Sequence, residues 1–167
     1  MATTPRSDDP CSYTGDAVKN REIHVNVHLN AARVYQRDGT SFTILGEFTG
    51  LIDGPRTSDL GRDATWCYMH PIQAKLDGPT GKGLVNFVVF CLRREIGFHS
   101  DHWQRGRTRQ RIPGGQSHGC IRIPHDDSRR FFEMVQIGDC VRLYDRRDWR
   151  EPTFKPCVSH SHCIRSR

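Results

Sequence analysis

The clearest chemical signal in the sequence is one short run of residues in the second half of the chain: Ser117-His118-Gly119-Cys120-Ile121-Arg122. Cysteine attacks as the thiolate, and a histidine is the usual base that removes its proton. Gly119 lets the backbone approach a substrate carbonyl closely, so that the amides around Cys120 could face a developing oxyanion. The run therefore predicts nucleophilic chemistry at Cys120, with an inert buried thiol as the alternative.

Two histidines are candidates for the base that activates Cys120. His118 lies two positions before the cysteine, so the two side chains could share a face of a strand. His99 ends the strand-like stretch over residues 96–99. His102 and His125 are interpreted as surface residues.

The first elements that must position these groups are strands. Residues 23–29 alternate apolar and polar side chains with a period of two, which is typical of a half-buried strand. Residues 32–37 continue as a second strand. Asp38-Gly39 is a strong hairpin signal, and residues 41–48 form the partner strand. The chain is thus expected to open as a β-meander.

The rest of the chain predicts further strands and one helix. Residues 50–65 and 77–83 read as a loop and a turn, and the nearly continuous apolar run over 84–92 as a central strand. A basic, glycine-rich loop covers 105–116, with the arginine run 105–111 in solvent, and a short strand covers 120–123. Asp126 or Asp127 would cap a helix with Phe131, Phe132 and Val135 on one face. Gly138-Asp139 would end that helix, and 140–144 would form the last strand. The predicted fold class is mainly β.

Length and composition set limits on the function. The 167 residues suffice for one ordinary domain, and no stretch approaches the roughly 20 apolar residues of a membrane span. A formal net charge of +6 favours polyanionic partners such as nucleic acid, anionic lipid or a cell-wall polymer, or serves solubility alone. No aromatic-basic motif supports nucleic acid. Residues 1–10 do not resemble a secretory signal, so we expect either cytosolic folding or a removed signal.

The cysteines are a second unusual feature, because there are seven of them. One thiol plus three disulfides would account for all seven, and reduced, packed thiols are the alternative. Cys91 and Cys140, in apolar strands, are expected to be core thiols. At least one bridge is expected to involve a terminal cysteine, and none to involve Cys120. The terminal cysteines are Cys11, Cys157 and Cys163.

The tail around Cys157 and Cys163 also holds His160 and His162, a composition that resembles a zinc site. The adjacent His162 and Cys163 cannot easily both face one ion. A disulfide or thiols are therefore favoured over zinc there, and no metal site is predicted.

The Cys120 segment resembles the signature of the L,D-transpeptidase catalytic domain, the YkuD-like family. That signature has a His, fourteen to seventeen residues, then Ser/Thr-His-Gly-Cys, a hydrophobic residue and Asn or Arg. Here seventeen residues, 100–116, separate His99 from Ser117. The opening hairpin, the closing helix, its glycine turn and the last strand are also similar, so the resemblance covers 21–145.

The chain departs from the family pattern at two places. The nearest match to the family's Thr-Pro-x-Gly element is Pro79-Thr80-Gly81-Lys82, which lacks the leading Thr. Residues 50–78 then look like an insertion, or the chain follows a different path there. Ser100-Asp101 stands where many relatives have glycine after the histidine.

The resemblance implies roles for particular residues. Cys120 would be the nucleophile and His99 the general base, with the carbonyl of Ser100 orienting the imidazole. His118 and Gly119 would shape the acyl pocket, with backbone amides as the oxyanion hole. Ser117 and Arg122 would be the substrate-binding residues. Arg122 would either brace the loop or contact a substrate carboxylate. No metal or organic cofactor is implied.

The resemblance implies a β-sandwich of mixed sheets with one short helix and a cysteine acyltransferase acting on peptidoglycan stem peptides. A thioester at Cys120 would pass to an amine, as in an L,D-transpeptidase, or to water, as in an L,D-carboxypeptidase. The alternative is a structural subunit of a virion or secretion assembly that keeps the fold without activity.

The expected organisation is an irregular segment over 1–20, a catalytic domain over 21–145 and a Cys/His-bearing tail over 146–167. The protein would act at the bacterial cell wall or in the periplasm. Without a signal, a phage tail or a secretion system would deliver it, and its tails would bind partner chains of that assembly.

Overall fold

The computed structural model describes residues 20–53, 68–92, 95–113 and 119–154. These residues form strands and a single helix, which confirms the mainly β prediction. The first four strands are β1 (Arg21–Asn26), β2 (Ala31–Asp38), β3 (Ser41–Phe48) and β4 (Ile52–Asp53). The next four are β5 (Tyr68–Pro71), β6 (Ala74–Leu76), β7 (Phe87–Cys91) and β8 (Ile96–Ser100). The last elements are β9 (His102–Arg105), β10 (Thr108–Arg111), β11 (Ile121–Ile123), α1 (His125–Met134) and β12 (Cys140–Tyr144).

The first sheet contains the predicted meander and the last strand, in the order β3-β2-β1-β12-β5. The meander pairs are antiparallel, and a bulge interrupts the β2–β3 ladder between Val34 and Tyr35. β1 pairs in parallel with β12, with Ile23 opposite Val141 and Val25 opposite Leu143. The two ends of the fold therefore meet in the middle of this sheet.

The second sheet has the order β4-β11-β8-β7-β6 and holds the segment singled out for its chemistry. β11 runs parallel to β8, and β7 is antiparallel to β8. A separate two-stranded hairpin is formed by β9 and β10. The region expected to be an insertion thus supplies the short strands β4, β5 and β6, two of which pair with the site-bearing sheet.

The hydrophobic core draws its side chains from both sheets and from α1. Phe131 of the helix lies edge-on to Phe48 of the first sheet, with ring centroids 5.1 Å apart, and 4.7 Å from Phe98 of the second. Its neighbour Phe132 is also buried. The predicted apolar face of the helix therefore joins the two sheets, because aromatic side chains bury a large area.

Several predicted boundaries were wrong for local reasons. The first strand ends at Asn26, because residues 27–30 turn back and Asn30 has φ 49°. The strand predicted over 84–92 begins only at Phe87, after Asn86 with φ 54°. It is an interior strand, as predicted, and lies between β8 and β6. The N-cap of α1 is Pro124, and Asp126 and Asp127 lie in the first turn instead.

The prediction of an irregular loop over 105–116 was wrong, because part of this segment forms a paired strand. Its first part contains the turn and the second strand of the hairpin β9–β10, in which Thr108 pairs with Arg105 and Gly106 takes a φ of 58°. The strand β10 is exposed throughout, as expected for the arginine run. The hairpin forms although its sequence has no apolar alternation.

The segment after β12 folds back onto the first sheet. The backbone amides of Thr153 and Phe154 donate to the buried carboxylate of Glu22. The side-chain amide of Asn26 donates to the carbonyl of Asp148, 3.0 Å away. Residues 145–154 therefore pack as part of the fold, whereas the irregular segment and most of the predicted tail lie outside the described residues.

Cys91 and Cys140 are buried, as expected, but both are disulfide-bonded, so the prediction of core thiols was wrong in that respect. Cys120 is a reduced thiol. The bridge predicted at Cys11, Cys157 or Cys163 concerns residues outside the described ranges and stays a prediction. None of the helices in the described part of the chain is long and apolar enough to cross a membrane.

Candidate active site

The pairing of β8 with β11 decides which side chains meet at the centre of the second sheet. His99 lies opposite Arg122, and Phe98 lies opposite Ile121. Because paired residues point to the same side and alternate residues share a face, Cys120 comes to the same face as His99 and Arg122. These three side chains line one cavity of about 520 Å³.

The remaining wall of this cavity is mostly apolar. β7 and β8 contribute Phe87 and Ile96, and Trp103 comes from the hairpin strand β9. The turn before β7 adds Leu84, and Ile112 closes another side. Such a wall favours a partly apolar ligand.

The thiol of Cys120 rests in its protonated form. Its Sγ donates a hydrogen bond to the carbonyl oxygen of Glu95, 3.5 Å away. Burial raises the pKa of the Cys120 thiol, although the Gly97 backbone amide and the charge of Arg122 act against this rise. A thiol held in this way needs a base before it can attack.

His99 is buried and its ring is held in one orientation. Its Nδ1 lies 2.7 Å from the carbonyl oxygen of Ser100, which can only accept a hydrogen bond. Nδ1 therefore carries the proton, and the lone pair of the neutral ring lies on Nε2. The ring also lies edge-on to Phe87, with centroids 6.0 Å apart. This is the tautomer that a general base at Nε2 requires.

The side chain of Ser100 ties β8 to the helix and the hairpin. Its Oγ accepts from the amide of His102 at 3.1 Å and lies 2.8 Å from Nδ1 of His125. Arg109 donates to Nε2 of His125 at 2.7 Å, so Nδ1 is the nitrogen that donates to Ser100. Burial and the charge of Arg109 lower the pKa of His125, which keeps its ring neutral. His125 and His102, interpreted as surface residues, are thus both part of this network.

Arg122 is buried, and its guanidinium points at backbone. It donates to the carbonyl of Pro113 at 2.5 Å and to that of Ile112 at 3.5 Å. These contacts hold the segment that leads towards residues 114–118. Of the two roles expected for Arg122, bracing the loop is the one that these contacts support.

The motif residues just before the cysteine are only partly described. Gly119 is buried and has φ 131°, a backbone conformation that L side chains rarely adopt. Ser117 and His118 lie outside the described residues, so their expected roles stay predictions. In the described ranges, no group of three or more His, Cys, Asp or Glu side chains could hold a metal ion.

Sequence reasoning missed two charged residues that also line the cavity, Lys82 and Glu95. Lys82 lies in the turn that was compared with the family's Thr-Pro-x-Gly element, and Glu95 precedes β8. The sequence signal for Lys82 was its place between two glycines, which is typical of an exposed turn. No comparable signal existed for Glu95.

Comparisons with known proteins agree with this architecture. Residues 20–143 match the YkuD family, described as the L,D-transpeptidase catalytic domain. An L,D-transpeptidase (Yku) from Stackebrandtia nassauensis superposes with a TM-score of 0.52 at 21% identity, over 86% of this chain and 63% of that one. The helical cell shape determining protein Pgp2 from Campylobacter jejuni gives a TM-score of 0.57 at 17% identity, over 87% and 54%.

A third similar structure is that of a fused Zn-dependent amidase/peptidase/peptidoglycan-binding domain-containing protein from Clostridium acetobutylicum. It gives a TM-score of 0.53 at 16% identity, over 86% of this chain and 65% of that one. At these identities the three structures show a shared fold, and the chain spans less than two thirds of each. A search of curated proteins found no significant match. With the family match extending over most of its length, the chain belongs to the L,D-transpeptidase catalytic domain family.

Proposed function

We propose that this chain is a cysteine acyltransferase that acts on peptidoglycan stem peptides through a thioester at Cys120. The observation that carries the proposal is the shared cavity of Cys120 and His99, with the His99 ring held by the Ser100 carbonyl in the tautomer of a base. The family match and the similar structures, an L,D-transpeptidase among them, support the same substrate class.

In the proposed reaction, Nε2 of His99 takes the proton from the Cys120 thiol. The thiolate attacks the carbonyl carbon between an L-centre and the following D-residue, and the oxyanion forms near the amides of Gly119 and Cys120. The C–N bond then breaks, the leaving amine takes the proton from His99, and a thioester remains. Attack by an amine gives a cross-link, and attack by water gives the shortened peptide.

The test is incubation with disaccharide-tetrapeptide fragments, followed by mass spectrometry of the products and of the intact protein. We expect a shortened or dimeric product and an acyl adduct on Cys120. Cys120→Ala should abolish both, and His99→Ala should slow adduct formation by about 10² or more, because general-base catalysis contributes roughly that much.

Thermal unfolding of both variants is the control, and their melting temperatures should stay close to that of the wild type. Turnover by Cys120→Ala would contradict the assignment of the nucleophile. A folded wild type that forms neither product nor adduct would favour the structural subunit instead. Delivery by a phage tail or a secretion system stays a prediction.

A further inference from the structure

The hairpin β9–β10 concentrates positive charge at its turn and along its second strand. Four exposed arginines lie within the seven residues 105–111: Arg105, Arg107, Arg109 and Arg111. The sequence contains no acidic residue over 102–125. This segment is therefore strongly basic by itself, beyond the net charge of +6 that the whole chain carries.

These arginines have little counter-charge around them. In the part of the chain that the structure describes, Arg105 and Arg107 take part in no ion pair. The Nε of Arg111 lies 3.7 Å from Oδ2 of Asp101, and the other oxygen of this carboxylate lies 2.7 Å from Nδ1 of His102. Within the described ranges, the four guanidinium groups therefore have one carboxylate partner among them.

Arg109 is held in place without being neutralised. Its Nη1 donates to Nε2 of His125 at 2.7 Å. Burial and the charge of Arg109 lower the pKa of His125, so that this ring carries no charge. A guanidinium has five N–H donors, and Arg109 uses one of them on His125, so the others can bind an anion. Arg109 is thus a pre-positioned cation that still lacks a counter-charge.

The hairpin is tied to the rest of the fold by backbone hydrogen bonds. At its base, the amide of Asp101 donates to the carbonyl of Ile123, and the amide of Ile112 donates to the carbonyl of Asp101, both at 2.8 Å. Further along, the amide of Gln104 donates to the carbonyl of Gly83 at 2.8 Å. The arginines are therefore presented on an ordered support, which reduces the entropy lost when a ligand binds.

The arrangement of the four charges indicates the shape of the ligand. Arg109 and Arg111 lie two residues apart on β10, so they share one face of the hairpin about 7 Å apart. Arg105 pairs with Thr108 and lies on the other face, and Arg107 lies in the turn. The charges therefore surround the hairpin instead of converging on one small anion. A flexible chain with a charge at every repeat fits this pattern, and guanidinium groups match phosphate oxygens well.

The surface has no platform on which nucleic-acid bases could stack. Residues 104–111 contain no aromatic side chain, and Trp103 lines the cavity of Cys120. Proteins that bind single-stranded nucleic acid combine a basic groove with aromatic side chains that stack on the bases. The hairpin therefore favours a polyanion without bases over nucleic acid.

We infer that the hairpin β9–β10 is a docking surface for a phosphodiester-linked polymer of the bacterial cell wall. Trp103 of β9 and Ile112 after β10 line the cavity, so a polymer bound to the hairpin lies beside the nucleophile. Docking would hold the protein on the wall while stem peptides exchange in the cavity. The inference goes beyond acyl transfer at Cys120, and only the choice of a wall polymer rests on the proposed function.

The test is fluorescence anisotropy of the complete chain with labelled poly(glycerol phosphate) at several salt concentrations. Counterion release makes log Kd depend linearly on log salt, with a slope of about 0.7 for each phosphate contacted on a single-stranded polyanion. Arg105→Gln with Arg107→Gln should lower the slope by about 1.4, because two contacts are lost. Arg107→Gln alone should lower it by about 0.7, which provides a test even if the double variant does not fold.

Two exposed arginines outside the hairpin, Arg37 and Arg147, supply the matched control. Arg37→Gln with Arg147→Gln removes the same charge and should leave the slope at the wild-type value. Equal losses in the two double variants would show that net charge alone attracts the polymer, and would overturn the docking surface. Melting temperatures of both double variants should stay close to that of the wild type.

Two further measurements identify the partner. Oligothymidylate with the same number of phosphates should bind no more tightly than poly(glycerol phosphate), and tighter binding would overturn the wall polymer in favour of nucleic acid. Isolated cell walls should sediment the protein, and walls stripped of phosphate polymers with hydrofluoric acid should sediment several-fold less of it. Undiminished sedimentation by the stripped walls would overturn the inference.

The outcomes for the docking surface and for the proposed function can be told apart. A wild type that forms the Cys120 thioester but does not bind poly(glycerol phosphate) would overturn the docking surface alone. A wild type that binds the polymer with the expected slope but forms no thioester would contradict the proposed function alone.

Discussion

At the scale of single residues, Asp139 is a fully buried carboxyl group. It lies in the turn between α1 and β12 with no exposed surface, and its Oδ2 accepts from the amide of Gln136 at 2.7 Å. Its Oδ1 is buried with no hydrogen-bond partner in the described ranges. Burial raises the pKa of Asp139 to about 6, although the Gln136 amide and nearby Arg21 and Lys75 oppose that rise.

This raised pKa gives a pH dependence with a definite sign. Between about pH 4 and pH 6 the folded protein keeps a proton that the unfolded chain has lost, so stability falls as the pH rises. A shift of about two units corresponds to roughly 3 kcal/mol. Through Asp139, the wild type should lose up to that much of its free energy of unfolding between pH 4 and pH 7. Asp139→Asn should not show this part of the loss, as measured by urea unfolding.

The exposed Asp77 is the control for this comparison, and Asp77→Asn should leave the pH profile close to that of the wild type. If the free energy of unfolding changed with pH in the same way in the wild type and in Asp139→Asn, Asp139 would ionise normally in the folded protein.

The site residues that belong to a sequence motif could be predicted. Those that lie near the site only because of the fold could not. Cys120 and His99 stand at a recognisable spacing, so their proximity could be predicted. The contacts of Ser100 with His125 depend on where α1 begins relative to β8, which no local pattern encodes. Lys82 and Glu95 meet only because two separate turns border one cavity.

At the scale of the elements, Gly97 allows β7 and β8 to approach closely beside the nucleophile. A Cβ at Gly97 would lie 2.0 Å from the carbonyl oxygen of Val88, a distance at which the backbone of β7 must move. The ladder is irregular at the same place, between Val89 and Cys91. The backbone of Gly97 also acts on the Cys120 thiol by a hydrogen bond that lowers its pKa.

We therefore expect Gly97→Ala to destabilise the protein by about 1–3 kcal/mol or more, the usual cost of overpacking, and to reduce acylation of Cys120. Chemical denaturation measures the first effect, and the intact-protein mass assay measures the second. Gly81→Ala is the matched control for stability, because nothing lies within 4 Å of the added Cβ. Equal stability of the two variants would mean that the backbone of β7 moves to admit the new Cβ without any loss of stability.

The elements themselves were predictable where hydrophobic periodicity was strong. The alternating residues of β1 and the Asp38-Gly39 turn gave the meander nearly at its observed bounds. The hairpin β9–β10 was missed because its strand β10 is exposed at every position, so it carries no apolar alternation. Its pairing depends on backbone hydrogen bonds and on the turn at Gly106, which are weaker signals in a sequence.

At the scale of the whole molecule, Glu22 anchors the segment after β12 to the first sheet. Its carboxylate is 1% exposed and lies 2.5 Å from Nε of Arg142 and 2.9 Å from Nε2 of His24. It also accepts from the amides of Thr153 and Phe154. Burial alone would raise the pKa of Glu22, but the His24 hydrogen bond and the Arg142 charge outweigh it, so the pKa lies below its ordinary value.

A carboxyl with a lowered pKa stabilises the fold above its ordinary pKa, and this stabilisation is lost as the pH falls. Glu22→Gln should therefore cost about 3–5 kcal/mol at pH 7, because it leaves the largely buried Arg142 without its counter-charge. The difference from the wild type should shrink in acid. Unfolding curves at pH 7 and pH 4 measure both effects.

Glu47→Gln is the matched control, since Glu47 pairs with Arg33 at an exposed position and should cost less than about 1 kcal/mol. Similar costs for the two variants would mean that the Glu22 cluster is solvated rather than buried. Protease sensitivity of residues 145–154 in Glu22→Gln would report release of the segment directly.

The parallel pairing of β1 with β12 has a consequence for how the chain reaches this fold. His24 and Tyr144, whose side chains touch at 2.9 Å, are 120 residues apart in sequence. Contacts this distant must wait for a large loop to close, which slows folding. During synthesis, β1 and β2 emerge early and expose an apolar strand edge that only β12 covers. Until β12 is made, that edge is open to other chains, so aggregation competes with folding most strongly just before synthesis of the domain is complete.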